Sequence, residues 1–148
     1  MYAYIDGIIK YVESNYIVVD NNKIGYLIYT PNPYSFKLDE EYKIYVYQNI
    51  REDENTLYGF KSIEEKELFL RLIEVKGLGC KMALPMFATG DVNNIISAIE
   101  NEDVNYLKKF PKIGDKVARQ IILDLKGKLV SSNISNNKTN DELIETLK

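Results

Sequence analysis

The sequence predicts an α+β protein of two domains, a five-stranded β-barrel followed by an all-α domain. Three observations lead to this prediction. Residues 1–62 are rich in Tyr, Ile and Val and are divided by turn residues into five short segments. Residues 63–130 carry apolar side chains at helical spacing, and they contain an internal repeat. We therefore place a domain boundary near residue 62.

The barrel is predicted from the strand-like pattern of residues 1–62. Five segments are typical of strands: AYIDGIIKYV, YIVVD, KIGYLIYT, YKIYVYQNI and TLYGF. Alternation is clearest in the fourth segment, where Ile44 and Val46 lie on one face and Tyr45 and Tyr47 on the other. The breaks fall at residues 14–15, 21–22, 31–33 and 52–55. Five short strands without a helix between them favour a small closed barrel of the OB type.

The helical domain is predicted to begin just after Ser62. Ser62 and Glu65 have the spacing of a capping box, in which each side chain serves the other residue's backbone N–H. Leu68, Phe69 and Leu72 then follow on one helical face. Turn residues interrupt the helical pattern at residues 77–79, 89–90, 102–103 and 111–114. We expect short helices between these breaks as far as residue 130.

Residues 131–148 have a different character from both domains. The stretch SSNISNNKTN is polar and without periodicity, which predicts a flexible linker. The following DELIETLK restarts a helical pattern, but eight residues are fewer than the roughly 12–15 that an isolated helix needs. We expect this stretch to be the start of a C-terminal domain that is largely missing.

Composition excludes several classes of protein. No apolar run approaches the roughly 20 residues of a membrane-spanning helix, and no signal peptide is recognisable. The single cysteine, Cys80, rules out an internal disulfide, so we expect a cytoplasmic protein. The chain has a net charge of −3 and no histidine. Any binding of nucleic acid must therefore depend on where the basic residues are placed.

The internal repeat carries the main functional prediction. Residues 72–87 align with residues 107–122, at an offset of 35 residues, and each copy predicts a helix, a tight glycine turn and a second helix. The alignment pairs Leu78 with Ile113, Gly79 with Gly114, and Lys81 with Lys116.

The residue types in the repeat suit the binding of phosphate. Glycine turns the chain sharply, and the helix that follows offers unpaired backbone N–H groups. Lys81 and Lys116 add a positive charge at the same point, and Leu78 and Ile113 would anchor each turn in the core. The alternative is an ordinary helix–helix turn with a solvated lysine. Because the pattern occurs twice, we favour binding to nucleic-acid backbone, independent of base sequence.

Six short motifs in a fixed order resemble the RuvA family, which recognises four-way (Holliday) DNA junctions in bacteria and partners the branch-migration motor RuvB. They are Gly7, IGY at 24–26, RED at 51–53, LYGF at 57–60, GLGCK at 77–81 and IGDK at 113–116. The resemblance extends from residue 1 to about residue 130. It implies DNA recombination and repair as the setting and a DNA-binding subunit without catalytic residues, metal or cofactor.

The resemblance also implies an assembly and a set of site residues. In the family the barrel builds a homotetramer, and whether one tetramer or two stacked tetramers cover a junction is open here. The helix-hairpin-helix units hold the minor-groove sides of the arms, and an acidic pin stands at the crossover. The pin corresponds to Glu52 and Asp53. The DNA-binding set comprises Gly77, Leu78, Gly79, Lys81, Lys112, Ile113, Gly114, Lys116 and Arg119.

The sequence departs from the family pattern in the second hairpin and at the C-terminus. Lys112 stands where the family usually has glycine, so its backbone is either strained or avoids positive φ. Asp115 occupies a position that is often basic. We therefore expect the second hairpin to bind more weakly than the first. The family's third domain contacts RuvB, and since this chain stops at its first helix we expect that contact to be lost or weakened.

Two other functional classes remain as alternatives. One is a generic duplex or single-strand DNA-binding protein, in which some of the twelve tyrosines stack on bases. The other is a DNA glycosylase-like enzyme, which needs a catalytic Asp or Lys in a base-sized pocket. Asp124 and Lys126 follow the second hairpin, but LDLKGKL is more typical of the end of an amphipathic helix. A preference for four-way DNA would separate the junction hypothesis from both.

Overall fold

The computed structural model describes residues 1–129 of the chain. Its strands are β1 (Tyr4–Val12), β2 (Tyr16–Asn21), β3 (Ile24–Tyr29), β4 (Glu41–Arg51) and β5 (Glu54–Phe60). Its helices are α1 (Ile63–Ile73), α2 (Cys80–Ala83), α3 (Met86–Thr89), α4 (Val92–Glu100), α5 (Val104–Lys108) and α6 (Asp115–Leu125). The predictions for residues 131–148 fall outside the described part of the chain.

The five strands close into a barrel in the order β1-β2-β3-β5-β4, with β4 pairing back onto β1. Strands β3 and β5 are parallel, and the other neighbouring pairs are antiparallel. The predicted fold class, an OB-type barrel followed by helices, is confirmed. The barrel is filled by alternate residues of its strands, including Ile9, Ile17 and Ile44, each of which is fully buried.

The hairpin between β4 and β5 is tighter than the sequence predicts. The sequence predicts a break over residues 52–55, but Glu54 already pairs with Arg51 and Asn55 with Ile50 across the two strands. The loop therefore consists of Glu52 and Asp53 alone. The ladder includes Glu54 and Asn55 because cross-strand hydrogen bonds stabilise the extended backbone of polar residues as well as apolar ones.

Helix α1 begins at the predicted Ser62 cap, with one of the two bonds of the capping box. The Glu65 backbone N–H donates to Ser62 Oγ at 3.2 Å, and the Ser62 hydroxyl donates to the Glu65 carboxylate at 3.0 Å. The apolar face of α1 then packs on the end of β5. The ring centroids of Phe60 and Phe69 lie 4.9 Å apart, and Phe87 of α3 lies 5.4 Å from Phe60. The last strand of the barrel therefore contributes to the core of the helical part.

Candidate nucleic-acid interface

We call residues 72–87 the first hairpin and residues 107–122 the second hairpin. The two hairpins have the same pattern of backbone hydrogen bonds. In the first, the Leu78 N–H donates to the Val75 carbonyl at 3.1 Å. In the second, the Ile113 N–H donates to the Phe110 carbonyl at 3.2 Å. The next helices start alike, because the N–H groups of residues 83 and 118 donate to the carbonyls of residues 79 and 114 at 2.9 and 3.0 Å. The sequence repeat is therefore a structural repeat.

Each hairpin turns through one residue with positive φ. That residue is Gly77 in the first hairpin, with φ 90°, and Lys112 in the second, with φ 66°. The sequence left two conformations open for Lys112, and the structure has the strained one. A side chain in this region is disfavoured by contacts between Cβ and its own backbone. The second hairpin thus keeps the turn of the first at an energetic disadvantage.

The glycines that cap the two helices have no steric reason to be glycine. Gly79 precedes α2 with φ −91° and ψ 177°, and Gly114 precedes α6 with φ −93° and ψ −173°. These are extended conformations that any residue adopts. A Cβ added at either position would meet no heavy atom within 4 Å. Glycine here leaves the helix start uncovered, so that another molecule can approach the backbone closely.

The other predicted residues of the hairpins divide into anchors and surface charges. Leu78 and Ile113 are only 2% and 4% exposed, so each fastens its turn to the core. Lys81, Lys112 and Lys116 are exposed. The two hairpins also adjoin, because a Cβ placed on Gly77 would lie 3.9 Å from the Val117 side chain of α6. The predicted residues of both hairpins therefore belong to adjoining parts of one helical unit.

Arg119 is paired with a carboxylate of its own helix. Its Nε donates to Asp115 Oδ2 at 2.8 Å, and Lys108 Nζ lies 3.9 Å from Asp115 Oδ1. The hydrogen bond from Arg119 lowers the pKa of Asp115, and the same bond raises the pKa of Arg119. Lys108 was not singled out from the sequence, because it lies on α5 and meets Asp115 only through the fold.

At the first helix position of the first hairpin, the counterpart of Asp115 is Cys80, which is buried. Burial, followed by the nearby negative charge of Glu54, raises the pKa of the Cys80 thiol. The thiol therefore remains protonated and uncharged near neutral pH. The start of α2 thus carries no carboxylate, in contrast with the start of α6.

The acidic loop, Glu52 and Asp53, projects from the barrel close to the first hairpin. Both residues are exposed. Asp53 and Lys81 line the same cleft, about 610 Å³ in volume, between β5 and the α2–α3 segment. A second cleft of about 420 Å³ lies between β4 and the turn of the first hairpin, and Arg51 and Gly77 are among its lining residues. The structure thus brings Asp53 of the predicted pin to the same cleft as Lys81 of the first hairpin.

Glu54 behaves differently from its two acidic neighbours. It is half-buried, and its carboxylate accepts hydrogen bonds from Asn49 Nδ2 and from the Tyr58 hydroxyl, each at 3.2 Å. The sequence places Glu54 in an acidic run but does not reveal that it faces inward. Its position four residues before Tyr58, on the same face of a strand, is the one available signal.

The comparisons with known proteins agree over both parts of the chain. Residues 1–59 match the family model described as RuvA N terminal domain, and residues 69–127 match the model described as SAM-like helix-hairpin-helix tandem. Similar proteins named Holliday junction branch migration complex subunit RuvA occur in Pediococcus pentosaceus, Listeria innocua and Acholeplasma laidlawii. Their identities to this chain are 51%, 54% and 52%, over 99%, 87% and 90% of it. The matches span 80%, 65% and 72% of the relatives' own lengths.

Proposed function

The chain belongs to the RuvA family, and on that premise we propose that it binds four-way (Holliday) DNA junctions in recombination and repair. The observation that carries the proposal is the pair of open helix starts at Gly79 and Gly114. Nothing within 4 Å occupies the space where either Cβ would stand. Both glycines have backbone angles that other residues adopt freely. Close approach by a sugar-phosphate backbone accounts for glycine at both places.

Binding at these sites is independent of base sequence. Backbone N–H groups at the start of α2 and α6 donate to phosphate oxygens, and Lys81 and Lys116 supply positive charge beside them. Lys112 and Arg119 add charge at the second hairpin, where Asp115 competes for Arg119. Each phosphate contact releases a counterion, so the affinity falls steeply as the salt concentration rises.

The acidic loop discriminates between junctions and plain duplex. A carboxylate about 5 Å from a phosphate, at an effective dielectric constant near 20, is repelled by roughly 3 kcal/mol before screening. At a four-way crossover this repulsion keeps the strands apart and the centre open. Duplex laid across the same surface would meet Glu52 and Asp53 directly and would be disfavoured.

The barrel supplies the contacts between subunits. Large apolar side chains stand exposed on its surface, which is typical of a surface that another chain covers. They include Tyr4, Ile8, Tyr11, Ile24 and Leu27. We infer a homotetramer, and sedimentation velocity with and without junction DNA would distinguish one tetramer from two stacked tetramers.

The chain acts as a non-catalytic subunit of a branch-migration complex in the cytoplasm. Its relatives are named as subunits of such a complex. The family resemblance implies a RuvB-type ATPase as the motor. In residues 1–129, no helix has the length and apolar character needed to cross a membrane. The same residues contain no group of three or more metal-ligand side chains.

A competition binding assay tests the junction proposal. We expect the chain to prefer a labelled four-way junction over linear duplex of equal length. The variant Glu52→Gln/Asp53→Asn should bind duplex more tightly and lose most of this preference. The control Glu13→Gln/Glu41→Gln removes the same amount of charge from exposed barrel positions. It should retain the preference for the junction over duplex. Equal binding of both DNAs by the unmodified chain would leave only a generic DNA-binding protein.

A further inference from the structure

Glu54 joins two buried polar side chains at the base of the acidic loop. Asn49 is 7% exposed and Tyr58 is 2% exposed. The Asn49 amide donates to one oxygen of the Glu54 carboxylate, and the Tyr58 hydroxyl donates to the other, each at 3.2 Å. One half-buried carboxylate therefore satisfies a donor on β4 and a donor on β5.

Among residues 1–129, the Asn49 amide and the Tyr58 hydroxyl have Glu54 as their side-chain hydrogen-bond partner. Within residues 1–129, no buried side-chain nitrogen or oxygen lacks a hydrogen-bond partner. Without Glu54, the Asn49 amide and the Tyr58 hydroxyl would lose these bonds although both side chains are almost fully buried, each at the edge of one of the two clefts. A buried donor without a partner is strongly disfavoured, so the surrounding hairpin would have to move to admit solvent or find a new acceptor.

The bridge lies between the acidic loop and the helical core in which Leu78 anchors the first hairpin. On one side, Glu54 pairs with Arg51 in the last rung before Glu52 and Asp53. On the other, the Tyr58 ring packs on Phe69 of α1, with centroids 5.7 Å apart. The cleft that Glu54 lines with Asp53 is closed on its far side by α2–α3 residues, including Lys81 and Leu84.

We propose that Glu54 is a positioning residue that holds the acidic loop at a fixed place beside the first hairpin, and that this placement sets the preference for four-way over linear DNA. The inference rests on the proposed function. It differs from the role of Glu52 and Asp53, because Glu54 acts through hydrogen bonds within the chain and not through contact with DNA. Burial, followed by the negative charge of Glu54, raises the pKa of Tyr58 and of Cys80, in agreement with the location of Glu54 between barrel and helices.

The physical reason is the dependence of repulsion on distance. The interaction between two charges falls with their separation and is screened over about 10 Å at 0.1 M salt. A carboxylate that moves by several ångströms relative to the bound phosphates therefore loses much of its discriminating effect. The hairpins hold the DNA, so the acidic loop must keep a constant position relative to them.

Two substitutions at Glu54 separate positioning from charge. Glu54→Gln keeps the shape of the side chain and the bridge. The side-chain carbonyl of the new glutamine would accept from the Tyr58 hydroxyl. Its amide would donate to the side-chain carbonyl of Asn49 once the Asn49 amide group has flipped. Glu54→Ala removes the bridge and leaves the charges of Glu52 and Asp53 intact. We expect the ratio of duplex Kd to junction Kd to fall about fivefold in Glu54→Ala and to change less than about twofold in Glu54→Gln.

Controls exclude a general loss of stability. Val19→Ala weakens the barrel core, away from this bridge, and should keep the Kd ratio at a temperature where all variants are folded. If Glu54→Ala does not fold, Tyr58→Phe tests the same point, because it removes one hydrogen bond and keeps the ring packing. We expect a smaller fall in the Kd ratio from Tyr58→Phe than from Glu54→Ala.

The outcomes distinguish this inference from the proposed function. Equal binding of junction and duplex by the unmodified chain would overturn both. A junction preference that Glu54→Ala, or Tyr58→Phe in its place, leaves intact would overturn the positioning role alone. A loss as large in Glu54→Gln as in Glu54→Ala would also overturn it, because the charge itself would then be responsible.

Discussion

The two hairpins share a backbone but present different chemistry to a bound phosphate. Their turns repeat the same hydrogen bonds at an offset of 35 residues, and both reach positive φ at the same point. The first uses Gly77 there and places the buried Cys80 at its helix start. The second hairpin has Lys112 at the residue with positive φ and the exposed Asp115 at its helix start. The comparison teaches that the fold constrains the path of the chain more tightly than it constrains charge.

Their surroundings differ as well. Residues of the first hairpin line both clefts beside β4 and β5, whereas neither set of lining residues includes the second hairpin. The first hairpin is thus the one presented together with the acidic loop. We expect it to provide the stronger DNA contact and the second to support it. Substitutions at equivalent positions can break or sharpen this distinction.

The largest effect is expected from filling the open space at the helix starts. Threonine fits the extended backbone of Gly79 and is favoured at a helix N-cap, so the stability of the fold should not fall. Its side chain would stand where phosphate approaches and would compete for the same N–H groups. We expect Gly79→Thr to weaken junction binding at least tenfold, on the order of 1.4 kcal/mol, and Gly114→Thr by about threefold. Fluorescence anisotropy with labelled junction measures both.

Ser62→Thr is the matched control, since it places threonine at the N-cap of α1, outside both hairpins. Ser62→Thr should change neither the stability of the protein in urea nor its affinity for the junction. Equal losses from Gly79→Thr and Gly114→Thr would show that the hairpins contribute alike. If neither variant lost affinity for the junction, the open space at Gly79 and Gly114 would not serve the approach of phosphate.

The sequence predicts those features that depend on neighbours along the chain. Barrel strands, the Ser62 cap and the doubled turn all follow from local spacing, and the structure contains them. The bridging role of Glu54 could not be predicted, because its partner Asn49 lies on another strand. The pairing of Lys108 with Asp115 likewise joins two helices. Side-chain direction and long-range pairing emerge only when the elements pack together.

The backbone of the turns provides the second test. Gly77→Ala should lower the free energy of unfolding by about 1–2 kcal/mol, because alanine is disfavoured at φ 90°. The added Cβ has room beside Val117, so strain and not a clash is responsible. Lys112→Gly should raise the free energy of unfolding by about 0.5 kcal/mol, since relief of strain exceeds the added entropy of the unfolded chain. Urea unfolding followed by circular dichroism measures both changes.

The control is Lys112→Ala, which removes the charge but retains a side chain at positive φ. Its stability should equal that of the unmodified chain. If Lys112→Gly instead destabilises the protein, lysine is not strained at φ 66° and the two turns are energetically equivalent.

The smallest effect is expected from the carboxylate that distinguishes the second helix start. Asp115 holds Arg119 at 2.8 Å and lies 3.9 Å from Lys108, so two basic side chains are partly neutralised beside the predicted phosphate site. Asp115→Asn should release both and tighten junction binding about twofold, with a steeper dependence on salt. Because the pKa of Asp115 is lowered, its carboxylate stays ionised and the gain should be constant over roughly pH 6 to 8.

The control Asp124→Asn removes the same charge farther along α6, where the Asp124 carboxylate accepts a hydrogen bond from Gln120, and it should give no comparable gain in junction affinity. A gain of equal size from Asp124→Asn would mean that only net charge matters, whereas a loss from Asp115→Asn would mean that Asp115 orients Arg119 for the contact.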